Sequence, residues 1–179
     1  MDGYLVDTNI LSYLFSENHR FHDPVKRGFE ALPAEAPIFV AAIVLGEIEF
    51  GHRCVSGEDT DIQHRFNRFV TESFPHVMDV RRSTRKAYGM LRANLFDRFA
   101  PRNRKSKTKR PEELVDPTTA KQLGVQENDI WITALALEHN LTLVTHDMKM
   151  RRLWEAAGDE LRVVDWASPG FRWPEEKPV

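Results

Sequence analysis

The chain has 179 residues, of which 41% are hydrophobic and 29% are charged, and its formal net charge is −2. This balance fits one globular domain of ordinary size and excludes a collagen-like or wholly disordered chain. A single cysteine excludes an internal disulfide and favours a reducing cytoplasm. The longest apolar run, residues 38–45, is shorter than the roughly 20 residues that span a bilayer. We therefore expect neither a membrane span nor a secretion signal.

Short apolar runs alternate along the chain with segments whose apolar residues recur at helical spacing. The runs predict strands at residues 4–6, 38–40, 76–80, 141–145 and 161–166. The helical spacing predicts helices after residue 9 and at residues 44–51, 59–70, 83–99 and 128–139. Because strands and helices alternate, we expect an α/β domain with a mostly parallel central sheet. Residues 169–179 contain three prolines and are expected to form an extended C-terminal tail.

Positive charge is concentrated in one segment. Residues 81–110 contain twelve Lys or Arg and a single acid, Asp97, so the rest of the chain carries a net charge near −13. Such an asymmetry favours a polyanionic partner, and nucleic acid is the obvious one. A solvated loop that only keeps the protein soluble is the alternative, because residues 102–110 have no apolar side chain and are expected to be mobile. The candidate RNA-binding residues are Arg102, Arg104, Lys105, Lys107, Lys109 and Arg110.

Four acidic residues are expected to lie where a parallel sheet binds its ligands, which is outside the carboxyl ends of the strands. Asp7 and Asp147 occur where apolar strands end, while Asp129 and, less clearly, Glu47 lie in the first turns of helices. Gathered carboxylates raise each other's pKa values, and a divalent cation relieves the repulsion. With oxygen ligands alone, Mg²⁺ or Mn²⁺ is favoured over Zn²⁺. Taken singly, each acid can instead be a helix cap or turn residue, and Glu49 competes with Glu47 for the role on that helix.

An acidic metal site beside a basic segment is the combination that phosphodiester cleavage requires. Two other classes stay open. A small-molecule phosphohydrolase of the aspartyl-phosphate type needs a second acid two positions after the first, and Asn9 occupies that position. A non-catalytic RNA- or protein-binding module on the same fold has no physical reason to keep four repelling charges. His146, beside Asp147, can contact substrate or metal, although a rim histidine without a catalytic role is the simpler interpretation.

Four segments resemble, in order, the motifs of PIN-domain nucleases. They are LVDTNIL at 5–11, LGEIEFG at 45–51, NDIWITA at 128–134 and LVTHD at 143–147. VDW at 164–166 is similar to the closing strand of that family. In their amino-acid residues, the motifs are most similar to those of VapC-type toxins from bacterial toxin–antitoxin pairs.

The resemblance implies a three-layer PIN-like domain over residues 1–168, with a basic insertion at about 101–126. It implies a Mg²⁺- or Mn²⁺-dependent endoribonuclease, a homodimer and a cognate protein antitoxin that docks near the active site. A PIN-domain RNA-processing nuclease without an antitoxin is the alternative. The metal-binding carboxylates would be Asp7, Glu47, Asp129 and Asp147, with Asn9 and Thr145 in supporting polar roles. The insertion departs from the short Arg/Gly connection usual in VapC-type toxins, which leaves the choice of substrate open.

Overall fold

The computed structural model describes residues 3–55, 60–100 and 110–174. The strands of this part are β1 (Tyr4–Val6), β2 (Ile38–Ala41), β3 (His76–Met78), β4 (Thr142–Val144), β5 (Arg162–Val164) and β6 (Arg172–Trp173). The helices are α1 (Thr8–Phe15), α2 (His22–Glu30), α3 (Ala42–Val55), α4 (Thr60–Ser73), α5 (Arg85–Phe99), α6 (Glu127–Glu138) and α7 (Arg151–Ala157). Single 3-10 turns lie at Pro111–Glu113 and Met148–Met150.

The strands form one sheet in the order β3-β2-β1-β4-β5-β6. The first five are parallel, and β6 pairs antiparallel with β5. The chain moves outward from β1 to β3 and then returns to place β4 on the other side of β1. Such a reversal of strand order opens a crevice at the carboxyl ends of the two central strands, where ligands bind in folds of this kind. The predicted α/β class with a mostly parallel central sheet is confirmed.

Burial in the core stabilises these short strands. Leu5, Val6, Leu143, Val144 and Val163 are fully buried, as expected for strands of a parallel sheet that is covered by helices on both faces. Helix α1 packs against α2 and α3, and α5 packs against α6 and α7, which completes a three-layer arrangement. Within the described ranges, no helix is both long and apolar enough to cross a bilayer.

Two segments are more ordered than the sequence pattern suggests. The expected C-terminal tail begins with β6, because Trp173 packs against Trp154 and adds a strand to the sheet edge. Residues 110–126, the second part of the expected insertion, place Leu114 and Leu123 in the core, and an antiparallel bridge joins their neighbours. Helix α2 was not predicted, since Val25 is its single fully buried residue.

Candidate active site

Asp7 is a nearly buried carboxylate at the junction of β1 and α1, with 4% of its surface exposed. Its backbone N–H donates to the carbonyl of Val144 at 3.0 Å, which fixes it against the end of β4. Oδ1 accepts the N–H of Thr8 at 2.7 Å and so caps α1. Oδ2 accepts hydrogen bonds from Thr145 Oγ1 at 2.6 Å and Asn9 Nδ2 at 3.0 Å. The carboxylate is held entirely by neutral donors.

Asn9 and Thr145 link the segment after β1 to the segment after β4. Besides contacting Asp7, Asn9 accepts the backbone N–H of His146 at 3.0 Å through Oδ1. The buried Thr145 hydroxyl accepts the backbone N–H of Asp147 at 3.1 Å. The two side chains expected to support the acids therefore lie between Asp7 and Asp147.

Glu47 joins three helices through its two oxygens. It lies in the second turn of α3, where Oε1 accepts Asn128 Nδ2 at 2.8 Å and Oε2 accepts the hydroxyl of Thr8. Glu49, two residues on, instead pairs with Arg53 on the surface. Asn128 was not predicted as a site residue. Its position immediately before Asp129 in the first turn of a helix was the available signal.

The other two acids also sit at helix starts. Asp129, the third residue of α6, accepts the N–H of Gln126 at 2.7 Å and completes the cap of that helix. Asp147 accepts the N–H of Lys149 at 2.9 Å at the start of the 3-10 turn. Both side chains are partly exposed, and the exposed helix N-termini favour negative charge at this edge of the sheet.

The four acids share one electrostatic environment. Burial raises the pKa of Asp7 from 3.8 to about 6, with Glu47 and Asp147 adding repulsion and the hydrogen bonds from Thr145 and Thr8 opposing it. Burial likewise raises the pKa of Asp129 from 3.8 to about 7, with repulsion from the other three acids. Throughout residues 3–55, 60–100 and 110–174, none of the four forms an ion pair with Lys, Arg or His. Among the described residues, neutral hydrogen-bond donors are therefore the groups that face this negative charge.

The donor chemistry of this edge fits a hard divalent cation, because the polar atoms that meet there are carboxylate, amide and hydroxyl groups. Among the described side chains, no three His, Cys, Asp or Glu residues converge into a finished metal site. The acids instead form a rim, which we call the acidic rim (Asp7, Glu47, Asp129 and Asp147), and hydrogen bonds hold each member in place.

The expected basic RNA-binding residues fall almost entirely outside the described ranges. Arg102, Arg104, Lys105, Lys107 and Lys109 belong to the undescribed stretch 101–109. Arg110 is described and exposed, and its backbone N–H donates to Glu113 Oε2 at 3.0 Å.

The fold and the site together define a parallel α/β domain that gathers carboxylates at the reversal point of its sheet. The chain belongs to the PIN domain family, whose model matches residues 4–155 and so includes all four acids. No curated protein sequence matches the chain significantly.

Solved structures similar to this chain include bacterial VapBC proteins. VapBC2 from Rickettsia felis, solved with a DNA fragment from its promoter, is 22% identical with a TM-score of 0.64, covering 91% of this chain and 98% of that chain. DNA-bound VapBC from Salmonella typhimurium is 19% identical with a TM-score of 0.62, covering 93% of this chain and 99% of that chain. VapC20 from Mycobacterium tuberculosis, described as a sarcin-ricin loop cleaving toxin, is 14% identical with a TM-score of 0.55, covering 87% of this chain and 95% of that chain. At these identities the likeness establishes the fold, and the resemblance to VapC-type PIN domains is confirmed at that level.

Proposed function

We propose that this protein is a Mg²⁺- or Mn²⁺-dependent endoribonuclease that acts in the cytoplasm as the toxin of a toxin–antitoxin pair. The observation that carries the proposal is the acidic rim itself. Four carboxylates from remote segments repel one another at the reversal point of the sheet, and within residues 3–55, 60–100 and 110–174 none of them pairs with a cationic side chain. Burying charge without a partner is costly, so this arrangement is best explained by a ligand that supplies positive charge.

In this proposal, Asp7, Glu47, Asp129 and Asp147 are the residues that hold the metal. A bound Mg²⁺ or Mn²⁺ supplies an activated water and neutralises charge that develops on the scissile phosphate. The chain's own residues prepare for this chemistry. Thr145 and Asn9 orient Oδ2 of Asp7, and Thr8 and Asn128 orient the two oxygens of Glu47.

The RNA phosphates are proposed to contact the basic segment that contains Arg102, Arg104, Lys105, Lys107, Lys109 and Arg110. Each contact that is lost should make the slope of log K against log salt shallower by roughly 0.7 for a single strand. Neutralising the six residues together should therefore change the slope by several units in a filter-binding titration. An unchanged slope would assign this segment another role, such as binding an acidic antitoxin.

The antitoxin and homodimer in the proposal are supported by apolar surface near Glu47. Phe50 on α3 is 69% exposed, and Val77 on β3, at a groove beside α3 and α4, is 47% exposed. Exposed large apolar side chains that lie together are typical of protein contacts. A small neighbouring gene for a DNA-binding protein with a C-terminal tail would separate a toxin from an RNA-processing PIN nuclease.

The test is to incubate the purified protein with structured and unstructured RNAs in Mg²⁺, Mn²⁺ or chelator. We expect cleavage that requires the metal and disappears in Asp7→Asn. The matched control is Asp159→Asn, which changes an exposed aspartate just before β5, at the opposite edge of the sheet. It should cleave like the wild type.

A second readout does not depend on activity. A saturating metal at about 100 times its Kd should stabilise the folded protein by about 2.7 kcal/mol and raise its Tm by several degrees. Asp7→Asn should lose most of this shift. Metal-dependent RNA cleavage that survives in Asp7→Asn would contradict the assignment, and RNA binding without any cleavage would favour the non-catalytic module.

A further inference from the structure

Next to the acidic rim lies a group of rings that the proposed chemistry does not use. Tyr13, near the end of α1, stacks on His19 with ring centroids 4.3 Å apart and planes 6° apart. Phe21 contacts both rings, at 5.2 and 5.6 Å. It also meets the ring of His146 at 4.6 Å and 63°. We call these four residues, all partly exposed, the ring cluster.

The ring cluster is continuous with the acidic rim. His146 directly precedes Asp147, and its backbone N–H is held by Asn9, the same side chain that contacts Asp7. The hydroxyl of Tyr13 lies within electrostatic reach of the same charges. Its pKa is raised mainly by burial; Arg20 opposes the rise, and Asp165, Asp147 and Asp7 add to it.

Both imidazoles of the cluster have a defined orientation. Nδ1 of His146 lies 2.7 Å from Oδ2 of Asp165, which is 5% exposed and accepts the N–H of Ala167 with its other oxygen. Because a carboxylate only accepts, Nδ1 of His146 carries a proton, and Nε2 is left on the side of the ring away from that contact. Nδ1 of His19 accepts the N–H of Phe21 at 3.3 Å, so Nε2 of the neutral His19 is a donor.

Both Nε2 atoms are available to a ligand. Among the described residues, neither has a hydrogen-bond partner. Two imidazole nitrogens that can hydrogen-bond a ligand therefore belong to rings that contact Phe21. The edge of a nucleobase carries both donors and acceptors for such groups, and its flat face stacks on aromatic rings.

The guanidinium group of Arg20 adds a positive charge beside the ring cluster. The guanidinium of Arg20 lies 4.5 Å from the ring centroid of Phe21, and the residue is exposed. In the described part of the chain it pairs with no carboxylate. A guanidinium in this setting can bind a phosphate oxygen while it remains stacked on the ring.

We propose that the ring cluster and Arg20 form a subsite for one unpaired RNA nucleotide next to the phosphate that is cleaved. The base stacks on the ring cluster and bonds Nε2 of His19 and of His146, while Arg20 contacts the adjoining phosphate. This inference rests on the proposed nuclease function and adds to it a requirement for an unstacked base beside the cleavage site. Asp165 is a positioning residue, since it acts through His146.

The test is a scan in which a single abasic nucleotide replaces each position around the cleavage site of an unstructured RNA. In the wild type, one position beside the cleaved bond should lose about 5- to 150-fold in kcat/KM, the range expected for one stacked base. In Phe21→Leu, which keeps an apolar side chain, the same replacement should cost less than about 3-fold. If Phe21→Leu does not fold, His19→Leu carries the same comparison.

The salt dependence of RNA binding provides a second test, which has a matched control. Arg20→Gln should make the salt dependence of RNA binding shallower by about 0.7 in slope. Arg162→Gln, at the start of β5 on the opposite edge of the sheet, should leave the slope unchanged.

The outcomes separate the two proposals. The subsite alone is overturned if the protein cleaves RNA but no abasic position lowers kcat/KM. It is also overturned if the loss of kcat/KM is the same in the wild type and in Phe21→Leu. Either result would mean that the rings only pack the α1–α2 loop. Absence of any RNA cleavage overturns the nuclease function itself.

Discussion

Two nearly buried aspartates, Asp7 and Asp116, both accept nearby backbone N–H groups but lie in opposite electrostatic settings. Asp7 caps helix α1 through the N–H of Thr8, and Asp116 closes a turn through those of Thr118 and Thr119. Asp116 also binds Arg152 at 2.7 Å. Its pKa is lowered, first by the hydrogen bond from Thr118 and further by Arg152. In the described part of the chain Asp7 has no cationic partner, and its pKa is raised.

The difference teaches how to distinguish a carboxylate that stabilises the fold from one that awaits a ligand. Around Asp116, charge is balanced and the loop is closed by backbone hydrogen bonds from Leu123 to Leu114 and from Asp116 to Lys121. Around Asp7, every donor is neutral and the neighbouring acids add repulsion. Burial alone does not separate the two residues, which are 4% and 7% exposed, whereas the sign of the pKa shift does.

The difference between Asp7 and Asp116 is tested most strongly by removing the charge of each residue in turn and measuring RNA cleavage. Asp7→Asn should lower RNA cleavage by about 10²- to 10³-fold, the scale seen when a charge-stabilising group is removed from an active site. Asp116→Asn should keep most of the activity under conditions where it is folded. Equal losses in the two variants would show that Asp7 has a structural role only.

The pH dependence of stability should differ between the two sites. In chelator, the folded state holds the proton of Asp7 more tightly than the unfolded state, since its pKa is about 6 when folded and 3.8 when free. Stability from this group is therefore full below pH 4 and is lost as the pH rises to about 7, by up to about 3 kcal/mol. Denaturant titrations of wild type and Asp7→Asn should differ in this pH range. Parallel curves would contradict the raised pKa.

The neutral partner of Glu47 offers a sharper comparison. Asn128→Ala removes the donor to Oε1 and should lower cleavage about 10- to 100-fold, the usual cost of losing a residue that orients a metal ligand. The Tm in chelator should change little, because Asn128 is partly exposed. A large fall in Tm with unchanged cleavage would reverse the interpretation.

The smallest expected effect concerns Asp116. Asp116→Asn keeps an oxygen that can accept the N–H of Thr118 but weakens the contact with Arg152, so it should lower the free energy of unfolding only slightly. The rise in Tm caused by Mn²⁺ should be the same as in the wild type. If the metal response disappears, the two regions are not independent.

Much of the acidic rim was predictable from the sequence, because abrupt ends of apolar runs locate the carboxyl edge of a parallel sheet. The pairing of His146 with Asp165 was not, since it depends on the register that sets Val144 opposite Val164 in β4 and β5. The ordered course of residues 110–126 was also hidden. Its buried residues, such as Leu114 and Leu123, are isolated among polar neighbours and show no periodicity.

Gly124 ties that ordered segment to the rim. Its φ of +77° favours glycine, and a Cβ there would lie 3.2 Å from Cδ of Lys149, whose backbone N–H holds Asp147. The space that the Lys149 side chain occupies beside the Asp147 turn therefore depends on a glycine three residues ahead of α6. A Gly124→Ala substitution should displace Lys149 and disturb that turn even though it changes none of the four acids.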